Sequence, residues 1–133
     1  MIELSNTVAQ RLTPGQSMVF NDVILHTGCS ECHRENTGSI KMRANGIYEV
    51  SFGANISCVE NRTDVELSIQ IGGTTLPETR MISAPGAAGF NSVYRTTLVK
   101  NCCGDYDRIT VTNTGTVDVI IDAHPVLIVK RVA

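Results

Sequence analysis

The stretch Ile47 to Ser57, IYEVSFGANIS, decides the fold. Tyr48, Val50, Phe52, Ala54 and Ile56 fall on one side of an extended chain, and Glu49, Ser51, Gly53, Asn55 and Ser57 fall on the other. Successive side chains of extended backbone point to opposite faces, so this period of two marks a strand with one buried face. Gly46, just before it, supplies the turn that feeds the strand.

The same pattern continues outward. In DVELSIQIGG, Val65, Leu67, Ile69 and Ile71 alternate with Glu66, Ser68 and Gln70, and Gly72-Gly73 break the run. TTLPETRMI then resumes as a short extended piece, with Pro77 expected at an edge or bulge. FNSVYRTTLVK is β-rich, and the turn cluster NCCGDYD follows it. RITVTNTGTVDVIID reads as two strands joined in a short hairpin at Asn113-Thr114-Gly115. In HPVLIVKRV, Val126 to Val129 are apolar on both faces, which predicts a strand covered on both sides. No segment keeps apolar residues at helical spacing over ten positions, and the glycines and Pro85 of SAPGAAGF favour a loop. About eight to ten short strands with turns between them predict an all-β, two-sheet antiparallel sandwich. It is expected to form one domain over residues 1–133.

Composition narrows the function. The net charge is -2, and the 11 Lys and Arg are scattered, so no nucleic-acid footprint is present. Trp is absent and aromatic residues make up 5%, which leaves sites of stacked aromatics poorly supplied. The apolar run PVLIV is too short to span a bilayer as a helix, so no membrane partner is expected. The opening MIELSNTVAQRL carries Glu3 early and has no apolar core, so no signal peptide is expected. The protein is then expected to stay in the cytoplasm, to leave by lysis, or to join a particle assembled inside the cell.

GCSECHREN, Gly28 to Asn36, is the main chemical candidate. Its C-x-x-C-H matches a haem-attachment signature, but such small haem domains wrap the group in helices, which are not expected here. A zinc site could combine Cys29, Cys32 and His33 with Cys102 and Cys103 if the two segments meet. Adjacent Cys102 and Cys103 point in opposite directions on extended backbone, which makes joint ligation awkward. Five cysteines cannot all pair within one chain. Three readings stay open, in this order: reduced cysteines packed as small apolar groups, a disulfide between the two segments, and zinc. The fold does not need any of them, so no cofactor is expected, and GCSECHREN reads as a loop. The three histidines show no H-x-H pair, and no G-x-S-x-G occurs, which argues against a cupin or a serine hydrolase. His124, before Pro125, reads as a turn residue, and Asp105 and Asp107 read as solvated turn acids.

The order of pieces carries a resemblance. LTPGQSMVFNDVI, TGSIKMRANGIYEVSFGANIS, VELSIQIGGTTLPETRM, YRTTLVKN, DRITVTNTG and the final apolar strand follow one another as in the tumour necrosis factor and complement globular-head superfamily of ten-stranded jelly rolls. GSIKMRANGIYEVSF is similar to that family's aromatic strand after a β-turn, and GGTTLP resembles its small hairpin. More narrowly, the chain resembles short bacterial and prophage-encoded members and the head of spore-surface collagen-like glycoproteins. NCCGDYDRITVTN matches the position of a cysteine pair in the prophage group. The resemblance covers roughly residues 5 to 132, and the chain lacks the Gly-X-Y stalk of stalked members.

The resemblance implies a homotrimer used for attachment, decoration or recognition on a virion, spore or cell surface, and no enzyme. A host-surface receptor or a capsid or spore-coat protein would be its partner. Surplus apolar positions in the last strand and in FNSVYRTTLV fit subunit contact, with Phe90, Tyr94, Val126 and Ile128 as interface candidates. Recognition would fall to the loops 30–37, 59–63 and 85–89, through Ser30, Glu31, His33, Arg34, Glu60, Asn61, Arg62 and Gly86.

Overall fold

The computed structural model describes residues 1–33, 37–59, 64–85, 89–102 and 108–133. In chain order the strands are β1 (Ile2–Ser5), β2 (Gln10–Leu12), β3 (Asp22–His26), β4 (Glu31–His33), β5 (Ile40–Met42), β6 (Gly46–Cys58) and β7 (Val65–Ile71). They continue with β8 (Thr74–Thr75), β9 (Met81–Ser83), β10 (Asn91–Asn101), β11 (Arg108–Asn113), β12 (Val119–Ile121) and β13 (Val126–Arg131). All pairings are antiparallel, and two sheets result. One contains β1, β2, β3, β6, β10, β12 and β13, and the other β4, β5, β7, β8, β9 and β11. The expected two-sheet antiparallel sandwich is therefore what forms.

The 13-residue β6 is the spine of the first sheet. One of its edges pairs with β10 from Gly46↔Asn101 to Ile56↔Asn91. Its other edge is shared, Tyr48 to Gly53 pairing with β13 and Ile56 to Cys58 with β12. Its alternation works as the sequence reading requires: Tyr48, Val50, Phe52 and Ile56 are fully buried between the sheets. They meet Leu67, Ile69 and Val111 of the second sheet in one apolar core. Burying a side chain such as Phe52 contributes about 2–3 kcal/mol. Gly46 sits at φ +147°, and a Cβ there would collide with the Ala133 carbonyl oxygen, so the turn into β6 needs glycine.

Four local expectations are corrected. TTLPETRMI is not one extended piece: Gly72-Gly73 close a hairpin of β7 with β8, and Pro77–Thr79 then form a 3₁₀ turn before β9. Proline enters such a turn readily because its φ is already set and its missing N–H is not needed. Asn113-Thr114-Gly115 does not close a hairpin. β11 pairs with β5 and β7 while β12 pairs with β2 and β6, so the chain crosses from one sheet to the other. GCSECHREN is not all loop, since Glu31–His33 pair with β5 as β4. Among the described residues the last strand is fully covered on one side only: Leu127 and Val129 are buried, while Ile128 is half-buried and Val126 is 37% exposed.

Candidate functional site

Residues paired directly across a sheet point to the same face. That rule assembles the outer face of the first sheet. One row runs Tyr94–Gly53–Val126, the next Thr96–Ser51–Ile128–Glu3, and the third Leu98–Glu49–Lys130. Tyr94 is 60% and Leu98 64% exposed. Gly53 leaves room for the Tyr94 ring, because a Cβ there would lie 3.3 Å from Tyr94 Cδ2. The face sinks into a depression of about 670 Å³ lined by Glu3, Ser51, Tyr94, His124, Val126 and Ile128 among others. Its polar groups are partly tied up. Ser51 Oγ and Thr96 Oγ1 lie 2.9 Å apart, Lys130 Nζ is 3.9 Å from Glu49, and Ser92 donates to Asn55 Oδ1 at 2.7 Å.

Three of the four interface candidates, Tyr94, Val126 and Ile128, thus meet on one surface, and Phe90 is exposed just before β10. The sequence reading missed Glu3, Ser51 and His124 as members of it. The alternation of β6 already placed Ser51 on the outward side, but nothing local joined Glu3 or His124 to it. His124 holds a left-handed φ of +65°, which fits its reading as a turn residue. Among the described residues it is the only histidine lining the depression.

The recognition candidates divide. Glu31 is corrected: it is 2% exposed, so it has no surface to offer a partner. Its carboxylate accepts from the Met1 amino group and from the Arg131 backbone N–H, each at 3.0 Å. His33 is half-buried edge-on to the Phe20 ring, with Nδ1 2.9 Å from Ser39 O and Nε2 3.3 Å from Phe20 O. Both ring nitrogens face main-chain carbonyls. Ser30 is half-buried, and its carbonyl accepts from Arg43 N–H and the Tyr48 hydroxyl. Arg34, Glu60, Asn61, Arg62 and Gly86 lie outside the described residues.

The cysteine segments do approach one another. The Tyr48 hydroxyl lies 3.1 Å from Ser30 O and 2.7 Å from Ala44 O, and Asn101 Nδ2 donates to Ala44 O at 3.0 Å. That relay puts the Cys29–Cys32 turn and the Cys102 end of β10 at the same end of the sandwich. Cys29 and Cys102 are exposed and Cys32 is half-buried. Among the described residues, no group of three or more His, Cys, Asp or Glu could hold a metal ion. Cys103 lies outside them.

No family model matches the sequence, and none of the curated proteins does. Solved structures do match over almost the whole chain. The globular domain of zebrafish complement 1qA superimposes with TM-score 0.73 at 12% identity, covering 99% of this chain and 96% of that one. Eiger TNF from S. frugiperda gives 0.75 at 11%, covering 99% and 91%. Murine APRIL gives 0.65 at 16%, covering 97% and 96%. The fold is the TNF/complement-head jelly roll. PRD1 vertex protein P5 shares it more distantly, with TM-score 0.52 at 11% identity over 99% of this chain and 96% of that one.

On this jelly roll the second sheet carries a polar cluster of its own. Arg80 grips Glu66 Oε1 through Nε at 3.0 Å and Nη2 at 2.7 Å, and the Thr114 hydroxyl donates to Glu66 Oε2 at 2.5 Å. Burial works against the Glu66 charge, but the Thr114 hydroxyl and the Arg80 guanidinium outweigh it and hold the carboxyl below the ordinary glutamate range. A depressed carboxyl stabilises the fold above its unfolded value, and that contribution is lost as pH falls through the folded value. Denaturant unfolding followed downward from pH 6 should therefore lose stability below about pH 4.3, the ordinary glutamate value. Glu66→Gln should flatten part of that decline, and an identical acid limb in the variant would count against the pair.

Proposed function

We propose that the protein is a non-enzymatic homotrimeric head that attaches to, decorates or recognises a partner at a surface, that of a virion first and of a spore or cell otherwise. The outer face of the first sheet carries this reading. It presents Val126 and Ile128 from its middle, with Tyr94 and Leu98 from the adjoining edge strand. Apolar groups placed on a face and on the edge beside it suit a contact of the edge of one copy against the face of the next. Such a heterologous contact closes into a ring when the rotation allows. The resemblance to the TNF and complement heads supports three as the number of copies. The likeness to PRD1 protein P5, a vertex protein, supports a particle surface.

In this reading the loops 30–37, 59–63 and 85–89 touch the partner, with Ser30, His33, Arg34, Glu60, Asn61, Arg62 and Gly86 as the residues to vary first. A receptor or coat protein would be that partner. The adjacent cysteine segments keep a second reading in view, a zinc or redox role for Cys29, Cys32, Cys102 and Cys103. One measurement separates the two. Native mass spectrometry without reductant or chelator should give the mass of three chains with no metal. A single chain carrying one zinc ion would sink the trimeric reading in favour of the cysteine one.

A further inference from the structure

We propose that β3 is a self-complementary edge through which two copies of this chain associate by antiparallel strand pairing. β3 ends the seven-stranded sheet and, among the described strands, pairs with β1 alone. Its three central side chains are all exposed, Val23 at 44%, Ile24 at 53% and Leu25 at 41%. Sheet edges are ordinarily guarded by lysine, proline or a covering loop, because their unpaired N–H and C=O groups template another strand. Asp22-Val-Ile-Leu-His26 contains neither lysine nor proline. The register against β1 slips between Glu3 and Leu4, so Ile24 opposes no β1 residue. The slip bends the strand and limits any pairing to these five residues.

The occupant follows from the sequence read against its own reverse. With Ile24 opposite Ile24 of a second copy, Val23 meets Leu25 and Asp22 meets His26 at both ends. Apolar groups face apolar groups, and on each side a carboxylate stands opposite His26, whose Nε2 lies 2.9 Å from the Glu31 carbonyl oxygen of its own chain. A second copy satisfies both ends at once. The contact uses a different edge from the one that carries Tyr94 and Leu98, because β3 and β10 end the sheet on opposite sides. Five paired residues bury far less than the roughly 1,200–2,000 Å² of a tight interface, so the association is weak and depends on concentration.

Sedimentation velocity over a concentration series tests this, on the full chain and on Tyr94→Glu, which removes the proposed trimer contact. In the Tyr94→Glu protein a monomer–dimer equilibrium is expected. Ile24→Lys sets two lysines opposite each other and should weaken it about tenfold or more. Ile24 is exposed, so the far-UV spectrum should not change. Asp22→His should weaken pairing, while the exchange Asp22→His with His26→Asp should restore it. The proposal is overturned if the Tyr94→Glu protein stays monomeric throughout, if Ile24→Lys associates as before, or if Asp22→His alone leaves pairing intact. A failure of the trimer reading looks different: the full chain never reaches three copies, while Ile24→Lys still halves whatever mass is present.

Discussion

Tyr94→Glu should leave the chain folded and abolish the trimer, leaving single chains and the weak dimer paired through β3. The side chain is 60% exposed and its ring lies over Gly53, so the isolated sandwich gives up little when it is replaced. The expected loss is between subunits. Tyrosines at the centre of a contact commonly cost about 2–4 kcal/mol when truncated, because they bury a large rigid surface at small entropic cost. Glutamate adds a second penalty. The depression already holds the carboxylates of Glu3 and Glu49, with Lys130 3.9 Å from the latter. A third carboxylate would be desolvated among them, where Lys130 already faces Glu49. A ring repeats the defect at every contact, so no trimer should remain at micromolar concentrations. Val126→Glu, on the same row, should behave alike. The check is native mass together with far-UV circular dichroism. A variant that stays trimeric beside a trimeric wild type would mean that another surface builds the ring.

The legible parts of this chain are those in which one strand decides its own faces. β6 alternates because its inner side meets a core and its outer side does not, and that contrast is written in each pair of neighbours. β10 was harder, since apolar residues stand on both parities. Val93 and Val99 pack on the core, whereas Tyr94 and Leu98 point outward from the same strand. Surplus outward apolar groups pointed to a contact surface without showing which other strands share it. That surface needs Glu3 beside Ile128, a register between chain ends that no local pattern contains.

Glu31 shows the opposite failure. A charged residue in a polar run reads as a loop, and a three-residue strand is too short to display a period. Its burial depends on partners 30 and 100 positions away, the Met1 amino group and the Arg131 amide. Asn113-Thr114-Gly115 was legible as a turn and illegible as a crossing. Turn chemistry is local, but the sheet that the next strand joins is chosen by long-range pairing.

That crossing is where the largest loss of stability is expected. Asn113→Ala should lower unfolding free energy by about 2–4 kcal/mol, since each buried hydrogen bond contributes about 1 kcal/mol net and orphaned partners cost more. Asn113 is fully buried. Its Nδ2 donates to Leu12 O at 3.0 Å and to Val117 O at 2.9 Å, and its Oδ1 accepts from Gly115 N–H at 3.0 Å. Leu12 belongs to β2 of the first sheet, Asn113 to β11 of the second, and Val117 to the chain between them. One amide group therefore fixes the crossing to both sheets. Its backbone is held as well, with N–H donating to Gln16 O at 3.0 Å and C=O accepting from Gly15 N–H at 2.7 Å, so alanine keeps the strand but strips three partners. Asn113→Asp should be worse than alanine near neutral pH. It replaces the donating amide with a charged acceptor facing two carbonyl oxygens, and stranding a buried charge costs about 3–5 kcal/mol. Urea unfolding should show the midpoint falling in the order wild type, alanine, aspartate at unchanged slope. A loss under about 1 kcal/mol for alanine would mean that water reaches the three abandoned groups, and that the crossing is held by strand pairing rather than by this side chain.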